Sequence, residues 1–107
     1  MTHKYKIVTG NLPYIADIDT RKKIIYIDKS MPKKFFEGIV AHEIEERKHL
    51  SKGHTYKFSH KKGEKKELQT FKRQLGSLKK AKKFFNEEKK YTDLIAKKYI
   101  SKELSQL

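Results

Sequence analysis

The spacing of apolar residues changes period about a quarter of the way along this chain, and that change restricts the fold more than any other feature. Tyr14 to Ile18 (YIADI) and Ile24 to Ile27 (IIYI) are short runs rich in β-branched and aromatic residues. The polar stretch Asp19 to Lys23 between them has the length of a hairpin loop. Tyr5 to Val8, ahead of the Gly10-Asn11 turn, is expected to supply a third strand. Beyond Asp28 to Pro32 (DKSMP) the apolar residues recur at helical spacing. Ser30 is expected to cap a helix that has Pro32 near its first turn, runs from Lys33 to Leu50 and ends before Gly53. A second helix, capped by His54 or Thr55, should reach about Leu75, with a break at Gly76-Ser77. Residues 78–105 read as one or two helices, with an interruption near Tyr91-Thr92. Strands followed by helices define an α+β fold: a β-hairpin or three-stranded sheet with helices on one face, forming a single domain over residues 1–107.

Composition narrows the setting. A chain of 107 residues has room for one hydrophobic core. No run approaches the roughly 18 apolar residues of a membrane span, and Met1 to Lys6 lacks the apolar stretch of a signal peptide, so a soluble, cytoplasmic protein is expected. Without cysteine, any metal must be held by His, Asp or Glu. The net charge is +14, but 24 of the 27 cations are Lys and only Arg21, Arg47 and Arg73 are Arg. Arg is the side chain that reads bases and phosphates in bidentate fashion, so nucleic-acid binding should be nonspecific at most. Lys and Ile enrichment fits an AT-rich genome and a thermophilic source. The charge is uneven, since residues 55–107 carry 16 cations and 6 anions.

The first helix places acids among its apolar residues. At about 100° per residue from Phe35, Ile39 lies near about 40° and Leu50 near about 60°. Glu46 falls at about 20°, His42 at about 340° and Glu43 at about 80° on the same wheel, whereas Glu45 lies on the solvated side. The second helix repeats the pattern: from Tyr56, His60 falls at about 40°, beside Phe71 at about 60°, with Glu67 at about 20° and Glu64 at about 80°. Unpaired buried carboxylates cost several kcal/mol, so these acids should be paired, protonated or bound to a metal. Facing helices would gather His42, Glu46 and His60 around one cation with a position left open for water. Glu43, one residue from a ligand, would then accept a proton from that water. Glu64, Glu67 and His49 are expected to support the ligands from behind or to substitute for one of them, while His3 and His54 are not counted among the candidates. The competing expectation pairs Glu43 and Glu46 with Lys or Arg from the second helix.

The hairpin YIADIDTRKKIIYID, followed by a helix carrying Ile39-Val40-Ala41-His42-Glu43, resembles the core of zincin metallopeptidases. The stretch HEIEERKHLSKGHTYKFSH, with Tyr56 four residues before His60, resembles the minigluzincins, single-domain archaeal relatives of the gluzincin peptidases. The likeness spans about residues 13–75. It implies a small zincin-like domain and a zinc-dependent endopeptidase acting on a peptide or protein, with one Zn2+ per chain. His42 would be the first ligand, Glu43 the general base and His60 a histidine third ligand; the usual His-Glu-x-x-His pattern here has Glu46 in its fifth position. Substrate would lie along the hairpin's free edge, whichever strand that is. Tyr56, Tyr91 and Tyr99 are candidates for stabilising an oxyanion.

Latency through residues 78–107, a trait of that group, would make the chain a zymogen. Phe84, Phe85, Leu94, Ile95, Tyr99, Ile100 and Leu104 give this segment enough apolar surface to dock. It would cover the cleft in its own chain, cover the cleft of a second copy in a homodimer, or complete the core. The reading from another class is a zincin-shaped basic protein without activity that binds nucleic acid or a partner.

Overall fold

The computed structural model describes residues 5–12 and 15–105, apart from the side chains of Tyr99 and 101–105. His3, Tyr14 and the Tyr99 and Leu104 side chains therefore lie outside the described residues. Three strands, β1 (Lys6–Gly10), β2 (Ala16–Asp19) and β3 (Ile24–Asp28), precede a 3-10 turn (Lys33–Phe35) and three helices. The helices are α1 (Phe36–Ser51), α2 (Tyr56–Leu75) and α3 (Leu78–Ser105). This is a small α+β fold.

β2 and β3 form the expected antiparallel hairpin, with Ile18 opposite Ile25. Its loop is tied by Asp19, whose Oδ1 accepts from the N–H of Arg21 (3.0 Å) and of Lys22 (2.9 Å). Lys23 completes the reversal at φ +58°. β1 is the third strand and pairs parallel to β3, giving the order β1-β3-β2. β3 is thus central, with Ile25 and Ile27 fully buried, and β2 is the edge strand of the hairpin.

Ser30 does not cap a helix. Pro32 precedes the 3-10 turn without a side-chain cap. Asp28 organises this corner instead, accepting from Ser30 N–H (2.9 Å) through Oδ1 and from Leu12 N–H (3.2 Å) through Oδ2. Burial works against its charge, yet these backbone donors hold its carboxyl below the ordinary value. Thr55 caps α2, its hydroxyl accepting from Phe58 N–H at 3.2 Å. Gly76, at φ +82°, closes α2 in the left-handed conformation that glycine adopts without steric cost. α3 runs unbroken through Tyr91-Thr92, where the Thr92 hydroxyl donates back to Glu88 C=O (3.1 Å) and no interruption occurs.

The core joins Ile18, Ile25 and Ile27 of the sheet to Phe35, Ile39, Val40, Phe71, Ala81 and Ile95. Phe84 packs on both Phe35 (centroids 4.6 Å apart) and Phe71 (4.8 Å). α3 is therefore a core element. No helix among the described residues is long and apolar enough to cross a membrane.

Candidate metal centre

α1 and α2 are antiparallel neighbours that touch at two glycines. A β-carbon at Gly38 would lie 2.3 Å from the Phe71 ring, and one at Gly63 would lie 2.8 Å from the His42 ring and 3.0 Å from the His42 carbonyl oxygen. Only hydrogen at these positions allows so close an approach. That closeness brings side chains of the two helices together.

His42, buried at 8 % exposure, is gripped from both sides. Its Nδ1–H donates to Glu67 Oε1 at 2.9 Å, and its Nε2 lies 2.9 Å from Glu46 Oε2. His60 Nδ1 approaches the same Glu46 oxygen at 2.9 Å. One donor atom each from His42, Glu46 and His60 lies within 4.8 Å of the others, and among the described residues no other His, Cys, Asp or Glu set meets this condition. Zinc bonds of about 2.0–2.2 Å in tetrahedral geometry set donors roughly 3.3–3.6 Å apart, so each histidine nitrogen, now 2.9 Å from Glu46 Oε2, need move away from that oxygen by only about half an ångström. The group fits for a second reason. Histidine ligands commonly donate their other N–H to a carboxylate, which fixes the ring, and Glu67 occupies that position on His42.

These contacts also favour a proton on the His42 ring. Burial favours the neutral His42 ring, but the hydrogen bonds to Glu46 and Glu67, with the charges of Glu67 and Glu43, raise His42 to about 10. Burial works against the Glu46 charge too; the hydrogen bonds from His42 and His60 bring it below the ordinary carboxylate value. The partners of Glu46 are thus two histidines and not Lys or Arg of α2. Glu43 lines the same cleft, and burial, opposed by His42 but reinforced by Glu46 and Asp17, pushes its carboxyl up to about 7.

The cleft holds about 520 Å³. Ala16 and Asp17 of edge strand β2 form one side, His42, Glu43 and Glu46 the floor, and Phe85, Glu88 and Thr92 of α3 another side. Tyr56 stands at its mouth, 63 % exposed, with its ring stacked on His60 and its hydroxyl 3.5 Å from His60 Nδ1. Glu64 is not joined to the triad: it pairs with Lys89 of α3 and stays 3.9 Å from His60 Nε2. His49 points elsewhere, its Nε2 3.0 Å from Glu45 Oε1 and its ring beside His54 and Phe58. Tyr91 lies against Phe35 and does not line the cleft.

Two participants escape a reading by composition and motif. Gly63 gives no signal of its own in a Lys-rich stretch. Glu88 looks solvated within NEEKK, yet it lies on the helical stripe shared by Ala81, Phe85, Thr92 and Ile95, and only 6 % of it is exposed. Set against known proteins, the chain matches no family model, no curated protein and no solved structure.

Proposed function

We propose that the chain is a zinc-dependent hydrolase of peptide bonds, with His42, Glu46 and His60 as metal ligands and Glu43 as general base. The observation that carries this reading is the meeting of two histidines and a carboxylate in a cleft that Glu43 also lines. A zinc ion there supplies Lewis acidity, which polarises the scissile carbonyl and makes water easier to deprotonate. Glu43 accepts the proton from the attacking water and delivers it to the leaving amine. Glu67 keeps the His42 ring oriented through Nδ1. The free edge of β2, whose Ala16 and Asp17 border the cleft, offers main-chain groups to an extended peptide. Among the described residues Tyr56 is the tyrosine that lines the cleft, and its hydroxyl beside His60 is placed to stabilise an oxyanion. α3 borders the same cleft, which supports control of access by the C-terminal segment, in the same chain or in a dimer.

Metal analysis of protein purified without chelator, followed by peptide hydrolysis assays, tests the reading. The wild type and Glu45→Ala should hold one zinc per chain and His60→Ala should hold little. Glu43→Gln should keep the metal and lose hydrolysis. Equal metal in all three of the first set, or turnover by Glu43→Gln, overturns it.

A second reading, an inactive zincin-shaped protein that binds nucleic acid, draws support from one feature. Lys79, Lys80, Lys82, Lys83, Lys90, Lys97 and Lys98 of α3 are all exposed.

A further inference from the structure

The metal site does not end at α2. Glu67 uses Oε1 for His42, while its Oε2 is buried without a hydrogen-bond partner. The group beside it is the Glu88 carboxyl of α3, which hydrogen-bonds Glu67. Two carboxyl groups can share a hydrogen bond only when one of them keeps a proton. Glu67 already accepts from His42 Nδ1–H at 2.9 Å, which favours its charged form, so the proton belongs to Glu88, whose own charge burial disfavours. On this stripe of α3 a leucine would pack against the core without the desolvation cost of an acid. A carboxyl group here is thus unfavourable for packing alone, and its contact is with the carboxylate that orients His42.

We propose that Glu88 is a positioning residue of the metal site, donating to Glu67 and through it holding the His42 ring with Nε2 turned into the cleft. The inference deepens the zinc-site reading and rests on it for the use to which His42 is put. The chain of contacts runs from the Glu88 carboxyl to the Glu67 carboxyl, from Glu67 Oε1 to His42 Nδ1, and ends at the donor atom His42 Nε2. α3 thereby becomes part of the site it borders. A glutamine at 88 retains an N–H donor toward Glu67, whereas leucine or alanine does not.

The test uses two readouts on the full chain. In metal-free protein labelled with 15N-histidine, NMR follows the His42 Nδ1 proton; cobalt(II) titration with zinc competition then gives metal affinity. Wild type and Glu88→Gln should show the same hydrogen-bonded Nδ1 signal and affinities within a few fold of each other. Glu88→Leu should lose or shift that signal and weaken zinc binding by about 10- to 100-fold while unfolding at an equal or higher temperature. Glu88→Ala takes its place if leucine disturbs the packing. An unchanged His42 signal in Glu88→Leu or Glu88→Ala overturns the proposal whatever the metal does. Signals that change as expected in a protein that binds no zinc uphold the positioning role and overturn the zinc reading alone.

Discussion

A hydrogen atom in place of a methyl group at position 63 is what lets His42 lie against α2. Gly63→Ala should therefore move the His42 ring, lowering stability by roughly 1–3 kcal/mol and weakening metal binding, as urea titration and metal competition would read. Gly10→Ala, with nothing within 4 Å of the new carbon, is the matched control. The titrating residues give a pH dependence of unusual sign. His42 at about 10 against 6.5, Glu43 at about 7 against 4.5 and Glu88 at about 8 against 4.5 all bind protons more tightly folded than unfolded. Their stabilising contribution is complete below the unfolded values and is lost as pH rises through the folded ones. Glu46, held low, acts oppositely and loses its contribution as pH falls. The urea midpoint of metal-free protein should accordingly decline between about pH 5 and pH 10, and zinc should offset much of the decline. His42, Glu46 and His60 are legible in the sequence because a helical wheel sets them on the apolar face. Glu67 is legible as a participant but not as the partner of Nδ1, because a wheel has no second dimension. Glu88 is open to the same wheel, hidden only by its charged neighbours.

At the scale of elements, the hairpin, the three helices and the Thr55 and Gly76 boundaries follow from local chemistry that the chain displays openly. The parallel pairing of β1 with β3 does not, since nothing in Lys6–Gly10 states which neighbour it will join or in which direction. Ser30 departs from its expected role for a related reason. Asp28 competes for the same turn, and its two oxygens serve two backbone donors at once. α3 supplies core and cleft wall together, which makes its removal a harsh operation. Fully burying a large apolar side chain contributes roughly 1.5–3 kcal/mol, so losing buried Ile95 with the partly buried Phe84 and Phe85 removes a large share of a typical domain's stability. A chain ended at Gly76 should lose its cooperative unfolding transition by circular dichroism, whereas one ended after Lys98 should retain it.

For the molecule as a whole, charge is sorted by location. Glu64, Glu67, Glu88 and Asp93 turn toward the cleft and Glu87 pairs with Lys34, leaving the exposed lysines of α3 with few acidic neighbours. Binding to single-stranded nucleic acid, measured by fluorescence anisotropy, should fall steeply with salt. Changing Lys79, Lys80, Lys82 and Lys83 together to Glu should flatten the slope of log K against log salt, by about 0.7 for each phosphate that is no longer neutralised. The sorting is only half visible in the sequence: the excess of cations after residue 55 can be counted, but which acids leave the outer surface depends on how three helices rotate. The arrangement of the candidate metal donors also bears on the order of events during folding. His42, Glu46 and His60 all belong to one helical hairpin whose helices are joined by four residues, from Lys52 to Thr55. Closing so short a loop costs little chain entropy, and contacts of such low sequence separation form fast. The donor set can therefore assemble before the strands find their register, so that a captured ion would act as a template for the fold as well as a finished component of it.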